Sequence, residues 1–328
     1  MKRILILGCG SIGERHLRCF QKTGRAVVSA CDANQALAKH MSAEYGVETF
    51  GDAARALAQG FDAVAVCVPA HLHVQMSLLA MRHGSSVLIE KPLAVTLDGV
   101  EELLEAARDS GRYHAVAYVY HVMPWMLAAR DYLAGGALGR VLHASLVTGQ
   151  HFPTFRPAYR EIYYTKHETG GGAIQDALTH VINATEWLIG PITSLYADAA
   201  HQHLEGVTVE DTVNVVARHG DLLATYSLNQ FQTPNEMTLQ LHGEQGSLKV
   251  ELHRRSWSHM LRGESNWTEH ITPALERDDL FIAQANAFLD GMEGRPSPLC
   301  TLEEAVQTLK VNLAALESAS TGERITIA

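Results

Sequence analysis

Continuous apolar runs alternate with helix-length segments over the first third of the chain, and this alternation constrains the fold more than any other feature. Runs without interspersed polar residues are typical of strands that are buried on both faces. They lie at residues 4–7, 26–31, 63–68, 86–89 and 114–119. Because helices separate them, the pattern predicts a doubly wound parallel sheet covered on both sides, and hence an α/β domain.

The pattern changes after Pro124, where longer strand-like segments follow one another with few helices between them. Glycine-containing turns at residues 219–221 and 243–246 join two pairs of these segments, which indicates hairpins and therefore an antiparallel sheet. The last helix begins near Thr301, and Glu304 stands at the spacing of a capping box. We predict an α/β domain over residues 1–120, followed by an α+β domain with a large, mainly antiparallel open sheet over residues 121–328.

Composition limits the class of partner. The net charge is −10, from 26 Lys and Arg against 36 Asp and Glu, which disfavours nucleic acid or an anionic membrane and favours a small molecule. The five cysteines form no CxxC pair, so neither disulfides nor a zinc ribbon is expected and a reducing cytoplasm fits. No run reaches the roughly 18 apolar residues of a membrane span. The histidines lie mostly singly, so no metal site is expected.

A GxGxxG motif at residues 8–13 follows the first strand-like run and begins the next helix. In such a motif the first glycine makes a tight turn, the second lets the backbone approach a pyrophosphate, and the third lets the helix pack on the strand. Asp32 follows the second run, where a carboxylate can accept both ribose hydroxyls of NAD and would repel a 2′-phosphate. The motif predicts NAD binding and disfavours NADP, although Arg15 and Lys39 leave some room for it.

The tripeptide Glu90-Lys91-Pro92 follows the fourth strand-like run. Ligands bind outside the carboxyl ends of parallel strands, so Lys91 is predicted to point toward the nicotinamide end of the crevice. The alternative is a surface lysine that ends a strand.

A helix predicted over residues 172–189 carries a second polar group. At 100° per residue its apolar side chains cluster on one side, whereas Asp176, His180, Asn183 and Trp187 share the opposite stripe. Asp176 and His180 are four residues apart, close enough to act on one substrate. The alternative is a solvated polar face, and the large Trp187 side chain argues against it.

These motifs make the chain similar to the Gfo/Idh/MocA family, the relatives of glucose–fructose oxidoreductase and inositol dehydrogenase, over essentially its whole length. The resemblance is carried by GCGSIG, Asp32, residues 68–73, EKPLA at residues 90–94, and Gly170-Gly171-Gly172 followed by Asp176 and His180. It implies a Rossmann domain that binds the dinucleotide and a second domain for substrate binding and oligomerisation. The cofactor-binding residues that it implies are Gly8, Gly10, Ser11, Ile12, Gly13, Asp32, Val68, Pro69, His73, Glu90 and Lys91.

In this family the lysine of the EKP motif and the Asp and His of the second-domain helix flank the substrate carbon. The resemblance implies that Lys91 stabilises negative charge on the substrate oxygen, that Asp176 orients the sugar, and that His180 is the general base. An imidazole with its ordinary pKa of about 6.5 accepts a proton near neutral pH. This scheme needs no metal.

The sequence departs from the family pattern at two positions. Ala70 stands where an asparagine is common, and His121 stands where many relatives have an arginine. A loop over residues 151–166 is rich in aromatic and hydrogen-bonding side chains, which suit a sugar and a protein surface equally well. The residues considered for substrate binding are Lys91, His121, His151, Arg156, Tyr159, Asp176 and His180.

We therefore predict an NAD-dependent oxidoreductase that transfers hydride between nicotinamide and a secondary hydroxyl of a sugar, inositol or sugar acid. Two alternatives stay open. One is a lyase, hydrolase or epimerase that uses tightly bound NAD without net redox change, and the other is a non-catalytic regulator that binds dinucleotide and sugar. An antiparallel sheet with an uncovered apolar face usually needs a partner, so we expect a homodimer or homotetramer through the C-terminal sheet.

Overall fold

The computed structural model describes residues 1–327, and its first strands and helices alternate as the sequence predicts. The strands of this part are β1 (Lys2–Leu7), β2 (Ala26–Cys31), β3 (Thr49–Phe50), β4 (Ala63–Val66), β5 (Ser86–Ile89) and β6 (His114–Val116). The helices are α1 (Ser11–Lys22), α2 (Gln35–Tyr45), α3 (Ala53–Leu57), α4 (His73–Arg82) and α5 (Val100–Ser110). Every strand except the two-residue β3 coincides with an apolar run, although β4 and β6 end before those runs do.

Parallel pairing joins these strands into a six-stranded sheet within residues 1–327, in the order β3-β2-β1-β4-β5-β6. This order is the one found in doubly wound dinucleotide-binding domains. The side chains of β1 alternate between two cores, with Ile4 and Ile6 in one and Leu5 and Leu7 in the other. Both faces of the sheet are covered, which explains the continuously apolar strands and confirms the predicted α/β fold.

The rest of the described chain is richer in strands. Its helices are α6 (Pro124–Ala134), α7 (Phe152–Phe155), α8 (Thr179–Ile189), α9 (Asp279–Met292) and α10 (Leu302–Thr321). Its strands are β7 (Val141–Gly149), β8 (Ser194–Ala200), β9 (Thr212–His219), β10 (Leu222–Asn229), β11 (Glu236–Gly243), β12 (Gly246–Glu251), β13 (Ser256–Leu261), β14 (Thr268–Ile271) and β15 (Ile325–Thr326). Among residues 1–327, no helix is both long and apolar enough to cross a membrane.

The later strands form a nine-stranded sheet within the described residues, in the order β14-β13-β12-β11-β7-β10-β9-β8-β15. Neighbouring strands are antiparallel except for β7 and β10, which run parallel. Both predicted hairpins are present, β9 with β10 and β11 with β12. The large, mainly antiparallel second sheet is therefore confirmed, although the sequence pattern did not indicate β8 or β13 to β15.

The chain folds into two compact units whose boundaries differ from the domains expected from sequence. The first unit comprises Met1–Val122 together with Leu275–Val306. The second comprises Met123–Ala274 and the residues from Gln307 onward. The sequence pattern predicts a second domain over residues 121–328, whereas α9 and the start of α10 belong to the first unit.

Long-range contacts within the first unit explain why α9 belongs to it. Asp278, directly before α9, accepts hydrogen bonds from Arg18 at 2.7 and 2.9 Å and from Lys22 at 3.2 Å, both on α1. These bonds, above all those from Arg18, hold the pKa of Asp278 well below its usual range. The rings of Phe20 and Phe288 meet edge to face with their centroids 6.3 Å apart. Contacts of this kind leave no local pattern in the sequence.

The start of α10 confirms a local prediction. The amide of Thr301 donates to Glu304 Oε2 at 2.8 Å, and the amide of Glu304 donates to Thr301 Oγ1 at 3.2 Å. This reciprocal pair is the capping box that the spacing of the two residues predicts, and it satisfies two amides that the helix itself leaves without acceptors.

Candidate active site

The turn between β1 and α1 has the geometry that a pyrophosphate requires. Gly8 has a φ of +100°, and a Cβ there would lie 2.6 Å from the Cys67 carbonyl oxygen. A Cβ on Gly13 would lie 1.8 Å from the Gly8 carbonyl oxygen, so the first and third glycines are fixed by packing. Gly10 is exposed, and nothing lies within 4 Å of its Cβ position. The open backbone at Gly10, at the N-terminus of α1, fits the phosphates of a dinucleotide.

Asp32 is fixed beside this turn. Its Oδ2 accepts a hydrogen bond from the Cys9 amide at 2.7 Å, and its Oδ1 accepts one from the Asn34 amide at 2.7 Å. The half-buried carboxylate therefore lies where it can accept ribose hydroxyls and repel a 2′-phosphate. Arg15, which left room for NADP in the sequence, donates to Asp278 at 3.3 Å and stacks over the Phe281 ring at 4.4 Å.

The segment after β4 is tied to the EKP tripeptide by a histidine. His73 is 1% exposed, its Nδ1 lies 2.8 Å from the Pro92 carbonyl oxygen, and its Nε2 lies 2.8 Å from the Val68 carbonyl oxygen. Burial lowers the pKa of His73 although both carbonyls favour the protonated ring. His73, predicted to contact cofactor, thus joins the loops after β4 and β5, whereas Pro69 is exposed and Ala70 is buried.

Glu90 and Lys91 follow β5 at its carboxyl end. Glu90 is 7% exposed, its Oε1 lies 2.6 Å from His16 Nε2, and its Oε2 accepts a hydrogen bond from the Lys91 amide at 3.0 Å. Burial alone would raise the pKa of Glu90, but the hydrogen bond from His16 and the nearby positive charge lower it. Glu90 is therefore a buried carboxylate, and the Lys91 side chain, which is half-buried, begins directly beside it.

In the second unit, the predicted helix over residues 172–189 begins differently from the prediction. Gly172 has a φ of +87° and precedes the helix, residues Ile174–Leu178 form a π-helical turn, and α8 follows from Thr179. A Cβ on Gly172 would lie 2.5 Å from the Glu210 carboxylate. Turns of this wide type inside helices are frequent at functional sites, and this one contains Asp176.

The polar stripe of this helix is covered rather than solvated. Asp176 is 8% exposed, and its Oδ1 accepts a hydrogen bond from the Tyr163 hydroxyl at 2.7 Å. His180 is half-buried in the first turn of α8. Asn183 is buried and donates to Thr308 Oγ1 at 3.1 Å. The guanidinium of Arg130 lies 4.3 Å from the ring centroid of Trp187.

Glu210 holds the start of this helical segment. Its Oε1 accepts a hydrogen bond from the Ile174 amide at 2.8 Å, and its Oε2 lies 2.6 Å from His167 Nε2. The hydrogen bond to Glu210 raises the pKa of His167. A buried carboxylate at the N-terminal end of a helix is stabilised by the free amides there, so Glu210 fixes where the Asp176 turn begins.

The aromatic loop over residues 151–166 packs partly on itself. Six buried side chains form a small core there: Phe152, Tyr159, Tyr164, Leu204, Val207 and Val209. The Tyr159 hydroxyl donates to the Glu205 carbonyl oxygen at 2.7 Å, so Tyr159 has a packing role that the sequence did not indicate. His151 is half-buried and Arg156 is exposed. Substrate contacts by these three residues stay predictions.

His121 lies in the first unit, in the short helical turn Val119–Val122. Its ring is fully buried, and its Nδ1 lies 2.9 Å from the Pro298 carbonyl oxygen. Contact of His121 with a substrate stays a prediction. Among residues 1–327, no group of three or more His, Cys, Asp or Glu side chains is placed to hold a metal ion.

A doubly wound sheet with an open glycine turn and an acidic residue after β2 is typical of the class of domains that bind dinucleotides such as NAD. The family model described as "Oxidoreductase family, NAD-binding Rossmann fold" matches residues 2–118, and that of the "GFO/IDH/MocA C-terminal domain" matches residues 126–249. The chain belongs to the Gfo/Idh/MocA family, and its cofactor is NAD.

Relatives and solved structures agree with this family. A 1,5-anhydro-D-fructose reductase of Ensifer adhaerens is 27% identical over 98% of each chain. An inositol 2-dehydrogenase of Pseudomonas syringae is 32% identical over 56% of this chain and 53% of its own length. Levoglucosan dehydrogenase in complex with NADH and levoglucosan shares the fold with a TM-score of 0.87, at 20% identity over 99% of each chain. The WlbA dehydrogenase of Bordetella pertussis, in complex with NADH and UDP-GlcNAcA, gives a TM-score of 0.85 at 22% identity, over 100% of this chain and 99% of its own.

Three contacts beside the candidate site were not predicted from sequence. His16 pairs with Glu90, Tyr163 donates to Asp176, and Glu210 holds the start of the Asp176 turn. A signal existed for His16, because it stands three positions after Gly13 on the face of α1 that packs against the sheet. For Tyr163 and Glu210, the contacts join separate segments and no spacing in the sequence predicts them.

Exchanging Asp32 for serine together with Ala33→Arg should weaken NAD binding and relieve the rejection of NADP. The change removes the acceptor for the ribose hydroxyls and places a positive charge where a 2′-phosphate would lie. Titration of the purified protein with each dinucleotide measures the two affinities, with Ala33→Arg alone as the control. An unmodified chain that bound NADP about tenfold more tightly than NAD would contradict the role of Asp32.

Proposed function

We propose that the chain oxidises a secondary hydroxyl of a sugar, inositol or sugar acid, reversibly, and passes the hydride to NAD. In this proposal the first unit supplies the dinucleotide site, and the second unit binds the substrate. The matching relatives are named as sugar and polyol dehydrogenases or reductases, which favours substrates of this chemical class.

The observation that carries the proposal is the π-helical turn with Asp176. Burying a carboxylate costs free energy unless donors compensate it, and here the Tyr163 hydroxyl donates at 2.7 Å. His180 follows in the first turn of α8. An oriented carboxylate and an imidazole so close along one helical segment are suited to hold a hydroxyl group and to take its proton.

Each of the three residues has one role in this chemistry. His180 takes the hydroxyl proton, Asp176 holds the substrate through its other hydroxyls, and the Lys91 ammonium stabilises negative charge on the substrate oxygen. When bound, NAD accepts the hydride from the same carbon. Lys91 acts mainly on turnover, because the charge that it stabilises forms only along the reaction path.

A panel of polyols, aldoses and sugar acids tests the function directly. With NAD present, we expect at least one of them to give a substrate-dependent rise in NADH absorbance. An enzyme that cycles NAD internally would change its substrate without accumulating NADH, and a regulator would bind NAD without changing any compound. Product analysis by chromatography, run beside the absorbance assay, separates these two outcomes from the proposed dehydrogenase.

Lys91→Ala, Asp176→Ala and His180→Ala should each leave the glycine motif unchanged, so NAD should still bind, while turnover falls. For His180→Ala we expect a loss of about 10² to 10⁴-fold, and the decline in rate at low pH should disappear because protonation of that base causes it. Turnover is measured from pH 5 to 9, with the exposed His40→Ala and Asp221→Ala as controls. Near-normal turnover with an unchanged pH profile in His180→Ala would move the base role to Lys91 or His121.

We also propose a homodimer or homotetramer that forms through the nine-stranded sheet. One face of this sheet carries large apolar side chains that are well exposed, among them Val147 at 59%, Val216 at 49% and Tyr196 at 44%. Tyr196 and Val216 are directly paired on β8 and β9, so the apolar surface is continuous there. A second copy of the chain would cover it. The five cysteines are buried, and none of them forms a disulfide within residues 1–327, which suits the cytoplasm that we propose as the location.

Placing charges on this face should break the assembly. The double variant Val147→Glu and Val216→Glu introduces charges of one sign that a buried interface cannot pair, so we expect the mass measured by light scattering to fall toward that of one chain. Val27→Lys, an exposed valine of the first sheet, is the matched control. An unmodified chain that already scatters as a monomer would refute the proposal.

A further inference from the structure

Two buried ionisable residues of the first unit, His16 and Glu90, form a pair that the proposed chemistry does not use directly. His16 Nε2 and Glu90 Oε1 are 2.6 Å apart, and the two residues are 1% and 7% exposed. We propose that His16 is a positioning residue for Lys91 and acts through the Glu90 carboxylate. This inference rests on the role proposed above for Lys91.

His16 reaches Glu90 because of its place on α1. It stands one turn after the glycine motif, on the inner face of the helix with Gly13 and Phe20. Its ring lies 6.4 Å from Phe20 and meets Phe281 of α9 edge to face at 5.6 Å, measured between ring centroids. Aromatic neighbours on two sides leave the imidazole little freedom to rotate, so Nε2 stays directed at the carboxylate.

The direction of the hydrogen bond follows from the surroundings of the ring. An ionised carboxylate only accepts, so Nε2 must carry a proton for the 2.6 Å contact to be favourable. Nδ1 of His16 is buried and has no hydrogen-bond partner within residues 1–327. A tautomer protonated at Nδ1 alone would bury a donor without an acceptor and set a lone pair against Glu90. His16 therefore donates to Glu90.

This donation fixes the backbone from which the Lys91 side chain begins. Of the two Glu90 oxygens, one accepts from His16 and the other accepts from the Lys91 amide at 3.0 Å. On the other side of Lys91, the Pro92 carbonyl oxygen lies 2.8 Å from His73 Nδ1. Two buried histidines thus hold the residues before and after Lys91. Without His16, the Glu90 carboxylate keeps its burial but loses its side-chain donor, and it is then free to turn away from the Lys91 amide.

The test compares His16→Leu with His16→Gln, whose amide can still donate to Glu90. A displacement of a reacting group by about 1 Å can cost about 10²-fold, so we expect His16→Leu to lower kcat by roughly that factor. We expect KM for the best substrate of the panel, and the affinity for NADH measured by fluorescence, to change by less than about threefold, since the glycine motif is unchanged and the role proposed for the Lys91 charge is mainly on turnover. His16→Gln should restore most of kcat. The matched control is His114→Gln, since His114 is a partly buried histidine of the first unit that contacts Val87 and Ser110 instead.

A double variant tests whether His16 and Glu90 act as one unit. If they do, His16→Leu with Glu90→Gln should be no slower than the slower single variant. Multiplicative losses would overturn the proposal, as would equal kcat in the Leu and Gln variants or a loss that appears only in KM. Thermal unfolding of each variant shows whether a loss of kcat merely reflects a smaller folded fraction. A loss of kcat explained in this way would also contradict the positioning role of His16.

A measurement without substrate or cofactor completes the test. The ¹⁵N shifts of the imidazole, assigned by their loss in His16→Gln, should show a proton on Nε2 of His16. A proton on Nδ1 alone would overturn the proposal. Lys91→Ala, assayed in parallel, separates a failure of the positioning role of His16 from a failure of the role proposed for Lys91. If it loses turnover while His16→Leu does not, only the positioning role fails, whereas normal turnover in Lys91→Ala refutes the proposed chemistry itself.

Discussion

The approach of α1 to the turn after β1 is so close that no side chain fits between them, since a Cβ on Gly13 would lie 1.8 Å from the Gly8 carbonyl oxygen. The remaining contacts of α1 depend on this spacing. It fixes how closely α1 packs on the first sheet, so that His16 contacts Glu90 and Phe20 contacts Phe288. A wider separation would lift all of these side chains from their partners together. The glycines therefore shape the candidate phosphate site and also determine how α1 packs in the first unit.

Much of the first unit could be predicted because its information is local. Buried parallel strands are continuously apolar, and the capping box of Thr301 and Glu304 needs only a four-residue spacing. The packing of α9 in the first unit could not be predicted in this way. It depends on Asp278 meeting Arg18 and Lys22, which are about 260 residues away in the chain. A lone acidic residue before a helix resembles an ordinary helix cap, so its distant partners leave no trace in the sequence.

In the second unit, the sequence identified the helix of Asp176 and His180 but not its start. A helical wheel assumes 100° per residue, and a π-helical turn breaks that assumption by adding a residue to the turn. The alternative of a solvated stripe, against which Trp187 argued, does not hold for Asn183, which is buried against Thr308 of α10. Polar side chains of a helix can be buried when another helix supplies hydrogen-bond partners. Here α10 does so again through Asn312, which donates to Thr179 Oγ1 at 2.8 Å.

Both units fix their candidate catalytic segments with the same device, a buried carboxylate that accepts hydrogen bonds from a distant segment. Glu90 accepts from His16, and Asp176 accepts from Tyr163. Glu210 accepts from the Ile174 amide and lies against His167. Burying such an anion costs free energy, and its hydrogen-bond donors offset that cost only in one geometry. Each carboxylate therefore stabilises a single backbone conformation around it. Electrostatic catalysis requires charges that are already oriented before the reaction begins. In the roles that we propose for Lys91 and Asp176, segments fixed in this way would supply that orientation, and loops held only by apolar contacts would not.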